Sequence, residues 1–268
     1  MNDLLKMMAV PKNKKKVKHR LPNELIAIPC ADKAFHEHWY KGRNMLNFPH
    51  PWRGVFLGPP NCSKTTTIKN IILRAKPEFE EIFCVHCDAE CTKEWDDIGV
   101  EMLKEIPAPE EWLGEVKTLV ILDDIEYKGM DKTQKANLDR LFGFVSTHKN
   151  ISVALTSQDP FNVPPIVRRC SNLWVLWRCP DLDAMATTAR KTGLEADNFN
   201  SIFNQLMCNT TDGLWLDMTA HSPYPKRKNG YQIISKTNDC DPDVVLQKKT
   251  SNEDTDVFYK KTSNKTNE

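Results

Sequence analysis

Five short apolar runs divide the middle of the chain, at residues 54–57, 81–86, 118–122, 151–156 and 173–177. None alternates cleanly between apolar and polar positions. Continuous runs of this length suit strands buried on both faces, as in a parallel sheet covered by helices. Segments with helical spacing lie between them. Ile68, Ile71 and Ile72 share one face of a helix expected over 65–75. A second helix is expected over 132–147, and parts of 181–206 read the same way. Two last strands are expected at 213–218 and 231–235. Strands alternating with helices predict an α/β fold with a mainly parallel central sheet flanked by helices.

The ends differ in composition. Residues 1–22 are polar and basic despite Leu4 and Leu5, and predict a disordered arm. Residues 236–268 are rich in Lys, Thr, Ser, Asn and Asp, and predict a flexible polar tail. The expected organisation is therefore an arm (1–22), one domain (23–235, its core from about residue 50) and a tail (236–268). Trp39, Tyr40, Phe48 and Trp52 are expected to pack on the core, with Pro49 and Pro51 marking the way into it. No internal repeat is visible.

The composition is that of an ordinary globular protein, with 40% hydrophobic and 27% charged residues among 268. A formal net charge of +1 points to no partner by itself. The distribution says more. Lys12, Lys14, Lys15, Lys16, Lys18 and Arg20 crowd one stretch. That stretch reads as a nuclear import signal, as a basic arm on DNA phosphates, or as a solvated tail. No apolar run nears the roughly 18 residues of a membrane-spanning helix, and the start lacks the apolar core of a secretion signal. An intracellular site is expected, and the nine cysteines are expected to be thiols in a reducing compartment. Cys84, His86, Cys87 and Cys91 invite a zinc reading. However, Cys84 and His86 would face opposite sides of one strand, and no second C-x-x-C follows, so incidental thiols are the better reading.

The first run leads into Gly58-Pro59-Pro60-Asn61-Cys62-Ser63-Lys64-Thr65-Thr66. This fits the phosphate-binding pattern G-x-x-x-x-G-K-[ST], the Walker A motif, except that Ser63 stands at the second glycine. Gly58 permits a tight turn out of the strand. Loop N–H groups and the helix N-terminus would cradle phosphate oxygens. Lys64 would reach the β- and γ-phosphates, and Thr65 would offer its hydroxyl to Mg²⁺. The third run ends in Asp123-Asp124, the form of a Walker B motif. Asp123 would join Thr65 in holding Mg²⁺, and Asp124 would polarise the attacking water. The fourth run continues through Ser157 to Gln158, whose amide can bond both the γ-phosphate and the lytic water.

The segment from Thr156-Ser157-Gln158 through Val163-Pro164-Pro165-Ile166-Val167-Arg168-Arg169 and Cys170-Ser171-Asn172 to the last core run carries a more specific likeness. It resembles the genome-packaging ATPases of double-stranded DNA viruses, the poxvirus-like branch of the FtsK/HerA P-loop NTPase superfamily. The segments Gly213–Asp217 and 222–230 resemble that family's C-terminal hairpin, with Lys226-Arg227-Lys228 in its expected turn, where DNA contact is one reading. The resemblance covers about residues 50–235. It implies an additional-strand, RecA/FtsK-like sheet, ATP and Mg as cofactors, and a homo-oligomeric ring that threads double-stranded DNA into a viral capsid. It also implies a capsid or portal partner, and a virion or viral assembly site as location. Arg168 or Arg169 would complete a neighbour's site as an arginine finger; a solvated basic turn and phosphate contacts to DNA are the other readings of the pair. Two other readings stand beside it: a P-loop helicase or replication ATPase, and a non-hydrolysing nucleotide-dependent scaffold favoured by Ser63. Trp174 and Trp177 flank a core strand and are expected to pack rather than stack on bases.

Overall fold

The computed structural model describes residues 48, 50–89, 93–219, 222 and 224–234. The expected basic arm, Trp39, Tyr40, Cys91 and the polar tail lie outside the described residues. Among the described residues nine strands form a single sheet in the order β3-β2-β4-β5-β1-β6-β7-β8-β9. They are β1 Arg53–Leu57, β2 Glu81–Val85, β3 Glu101–Leu103, β4 Thr118–Leu122, β5 Ile151–Ser157, β6 Leu173–Trp177, β7 Gly213–Asp217, β8 Lys226–Lys228 and β9 Gln232–Ile233. From β3 to β6 the neighbours are parallel, and β7 to β9 close one edge antiparallel. The five apolar runs are all strands, as expected.

Their continuous apolar character has a direct cause. Val55 and Leu57, Val120 and Leu122, Val153 and Leu155, and Trp174 and Leu176 point into one core. Phe56, Leu119, Ile121, Ala154, Leu173, Val175 and Trp177 point into a second core on the other face. Both faces are covered, so a polar residue at either parity is buried and must find a partner inside the fold. Trp174 and Trp177 are packing residues, at 1% and 3% exposure, and Phe48 and Trp52 are buried in the second core.

Helix α1 (Lys64–Arg74) covers the second core with Ile68, Ile71 and Ile72. Helix α2 (Lys132–Arg140) begins at Asp131, whose carboxylate accepts the Gln134 N–H, and continues as a π-helical stretch, Leu141–Val145. The expected regular helix is thus widened in its middle. The wider turn brings Leu141, Phe142 and Val145 inward while Gly143 and Phe144 stay exposed. Helix α3 (Pro165–Cys170) is short, with proline at its first turn, and α4 (Leu182–Thr192) and α5 (Ala196–Gln205) complete the first core's cover.

The segment carrying Arg168 and Arg169 is a short helix, which sets aside the basic-turn alternative for these residues. One expectation is corrected. Lys226-Arg227-Lys228 is not a turn: it is strand β8, and the turn follows at Asn229 and Gly230, both at positive φ. Arg227 is 4% exposed, lies over the Phe48 ring at 4.9 Å, and meets Asp217 Oδ2 at 3.5 Å. Lys228 pairs with Asp212 at 2.9 Å and donates to the Leu206 carbonyl. Burial pushes the Asp212 carboxyl up, but bonds from Asn229, Asn209 and Lys228 outweigh it and hold it below its ordinary value. Two of these three cations therefore serve the fold, which leaves the DNA-contact reading of this cluster without them.

Candidate nucleotide site

The carboxyl ends of β1, β4 and β5 meet over a cavity of about 800 Å³. Crevices at strand carboxyl ends are where open α/β sheets bind ligands. Its lining includes Pro60, Asn61, Ser63, Lys64, Thr65 and Thr66 from the loop, Asp123 and Asp124 after β4, and Thr156 and Gln158 from β5. Three segments distant in sequence therefore converge on one crevice.

The loop is shaped by its backbone. Gly58 N–H donates to the Ser157 carbonyl at 3.1 Å, tying the loop to β5. A Cβ on Gly58 would sit 2.7 Å from both Cys62 Sγ and Trp177 Cβ, so no larger residue fits. Asn61 and Ser63 both hold positive φ, at 61° and 82°. The Ser63 conformation is the left-handed one that glycine adopts without cost, which explains why the pattern expects glycine there. Serine holds the turn, and α1 starts at the next residue with no acidic side chain in its first turn. Nothing on the helix itself opposes an anion at its N-terminus. Cys62 is buried beneath the loop. Burial pushes its thiol up despite the nearby Lys64 ammonium, so the thiol adds no negative charge where phosphate would lie.

Lys64 Nζ donates to the Gly58 and Pro59 carbonyls at 2.8 and 2.9 Å. A phosphate would compete with these carbonyls for the same protons. Thr65 Oγ1 donates to Glu94 Oε2 at 3.2 Å. Asp123 is 8% exposed, and both its oxygens are held. Thr156 Oγ1 donates to Oδ1 at 2.8 Å, and the Trp95 indole Nε1 donates to Oδ2 at 3.1 Å. Thr156 Oγ1 also accepts the Asp124 N–H at 2.8 Å. Asp124 takes a positive φ of 50°, and its Oδ2 accepts from Gln158 Nε2 at 2.6 Å. The acidic pair and the glutamine thus form one connected network across β4 and β5.

The donor set suits a hard divalent cation. Thr65, Glu94 and Asp123 offer oxygen only, and an ionised carboxylate has about four lone-pair sites, so the two bonds on Asp123 leave capacity for a cation or its water. Lys64, Lys69 and Lys93 balance Glu94, Asp123 and Asp124 around the cavity, the mixture a phosphate ester with a bound cation needs. Sequence reasoning missed His86, Lys69, Lys93, Glu94, Trp95 and Thr156. The only signal for Thr156 was its place one residue before the Ser-Gln end of its strand. Cys84, placed by sequence near a zinc cluster, is buried in the second core, where burial and the Asp123 and Glu94 charges push its thiol up. Neither Arg168 nor Arg169 lines the cavity of its own chain. Arg168 Nη1 donates to the Val163 carbonyl at 2.6 Å, while Arg169 is exposed.

No protein-family model matches the sequence, and no curated protein matches it significantly. Solved structures do match the fold. The genome packaging NTPase B204 of Sulfolobus turreted icosahedral virus 2, in complex with AMPPCP, aligns with a TM-score of 0.50 at 15% identity. It covers 67% of this chain and 98% of that one. B204, the DNA-packaging ATPase of Sulfolobus turreted icosahedral virus, aligns with a TM-score of 0.50 at 12% identity, covering 67% and 97%. This chain therefore has the α/β fold of P-loop NTPases, with a mostly parallel mixed sheet flanked by helices. Among the described residues no helix is long and apolar enough to cross a membrane.

Proposed function

We propose that this protein is a Mg²⁺-dependent ATPase that drives double-stranded DNA into a viral capsid as a homo-oligomeric ring. The observation that carries the reading is the convergence of Lys64, Thr65, Asp123, Asp124 and Gln158 on one cavity. The motif order and the packaging ATPases among its structural neighbours support the biological role.

In this reading the loop N–H groups from Asn61 to Thr66 and the Lys64 ammonium bind the phosphates, with Pro59 and Pro60 shaping the loop without donating. Thr65 and Asp123 would hold Mg²⁺, which would supply neutralisation of phosphate charge when bound. Asp124 accepts a hydrogen bond from the attacking water and orients it toward the γ-phosphorus. Gln158, already bonded to Asp124, reads whether the γ-phosphate is present and passes that state to the segment leading to α3. ATP and water yield ADP and phosphate. Of the two arginines, Arg169 is the better finger for a neighbouring subunit, because the Arg168 guanidinium is committed to Val163. A capsid or portal protein is the expected docking partner.

The test is ATP turnover by the purified protein with and without long double-stranded DNA, beside Lys64→Ala and Asp124→Asn. DNA-stimulated turnover reduced about 100-fold or more in both variants is expected, the scale of losing one preorganised charge-stabilising group. Tight ATP binding with no turnover under any DNA condition would overturn the motor in favour of a nucleotide-dependent scaffold.

A further inference from the structure

Trp95 belongs to none of the sequence motifs. It lies after β2, 28 residues before Asp123, and is 1% exposed. Its ring packs in the second core with Ile68 of α1, Cys84 of β2 and Ile121 of β4. Only its indole N–H is polar, and that group meets Asp123 Oδ2 at 3.1 Å. The segment around it is tied down as well: Lys69 of α1 bonds Asp97 at 2.6 Å and lies 6.0 Å from the Trp95 ring centroid. The preceding residue, Glu94, holds the Thr65 hydroxyl. Both groups expected to meet Mg²⁺ are thus gripped by consecutive residues of one segment outside the Walker motifs.

We infer that Trp95 is a positioning residue for the cation site. Its N–H fixes one oxygen of Asp123 while Thr156 fixes the other, so the carboxylate cannot rotate about its last torsion and its remaining lone pairs stay directed at the cavity. An indole suits this task. It donates without a charge, so it does not compete with a cation for the carboxylate, as a lysine or arginine in its place would. Its rigid body is locked by packing, so the donor is held in place before any ligand arrives. Partners that orient metal-binding side chains change metal affinity by about 10–100-fold when removed.

The inference rests on the ATPase reading, and its test separates the two. Trp95→Phe keeps an aromatic ring in the core and deletes the donor. Binding of a fluorescent ATP analogue is followed as Mg²⁺ is titrated, with thermal unfolding in parallel. The variant is expected to bind nucleotide without Mg²⁺ within about twofold of wild type and to need about tenfold more Mg²⁺ for half-saturation. An unchanged Mg²⁺ requirement in a folded variant would overturn the inference and leave Trp95 as packing alone. Failure of the wild type to bind nucleotide at all would instead overturn the ATPase reading. A second measurement needs no variant. With ¹⁵N-labelled tryptophan, Mn²⁺ and a non-hydrolysable ATP analogue should broaden one of the seven indole N–H signals ahead of the rest. Equal broadening of all seven, or of none, would count against the placement even if Trp95→Phe does not fold.

Discussion

Thr156→Val is the sharpest perturbation of the site, because it changes one atom's chemistry and almost no volume. Thr156 is fully buried at the end of β5, and its hydroxyl makes two bonds. It donates to the Asp123 carboxylate and accepts the Asp124 N–H, both at 2.8 Å. Losing a bond to a buried carboxylate costs about 2 kcal/mol, within the range for charged acceptors. Asp124 is an exposed residue, so water can partly replace the bond to its N–H, and that loss is nearer about 1 kcal/mol. Valine leaves no cavity, so no packing term adds. The sum is about 3 kcal/mol, or roughly 6–12 °C in Tm for a domain of this size. Thr156→Ser keeps both bonds and drops one buried methyl, for about 1 kcal/mol. Urea and thermal unfolding of the three proteins, read by tryptophan fluorescence, would rank serine clearly above valine. Equal stability of the two variants, or a valine variant within 1 kcal/mol of wild type by this reasoning, would refute the claim that the network is energetically real.

Two further outcomes are expected. Ser63→Gly should relieve left-handed strain of about 1–2 kcal/mol against a glycine entropy cost of about 0.5–1 kcal/mol. It should therefore stabilise the chain slightly in urea melts without weakening ATP binding; a clear loss of stability would refute the strain argument. Lys191 donates to the Pro160 carbonyl, and burial, then the Arg168 charge, lowers its amine to about 8. The unfolded chain holds this proton more tightly between pH 8 and the ordinary lysine value of 10.5, so the group makes stability rise with pH across that window. NMR titration of ¹³C-methylated lysines should show the low midpoint, Lys191→Met should remove that slope, and a midpoint at the ordinary value would refute it.

The sheet was legible in the sequence because burial on both faces writes itself as uninterrupted apolar runs. The crevice was legible because each of β1, β4 and β5 ends its run with the polar residues that line it. What escaped was set by tertiary placement. Thr156 reads as one more strand residue, and only the register, with Leu122 opposite Leu155, puts its hydroxyl beside Asp123 one step further on. Lys93, Glu94 and Trp95 carry no periodicity, and their proximity to the site comes from the chain's path out of β2. Strand β8 failed for a different reason. Three consecutive cations look like a solvated turn, yet Arg227 faces inward onto Asp217 and two aromatic rings. Composition gives the charge of such a segment and not the partner that neutralises it.

That distinction bears on how the site is built. The Walker residues supply the groups that would touch nucleotide, but Asp123 is held by Trp95 and Thr156, and Asp124 by Gln158 and Thr156. Each holder sits on an element buried in one of the two cores or directly beside it, so the acidic pair inherits the rigidity of the sheet. Gln158 is the exception: it is exposed, follows the last residue of β5, and leads through Asp159 and the 3₁₀ turn Pro160–Asn162 to α3. In the proposed ATPase, a change in its bond to Asp124 on loss of the γ-phosphate would have a short covalent route to Arg168 and Arg169. On that proposal the rigid half of the site would serve the chemistry, and the exposed half would report that it has happened.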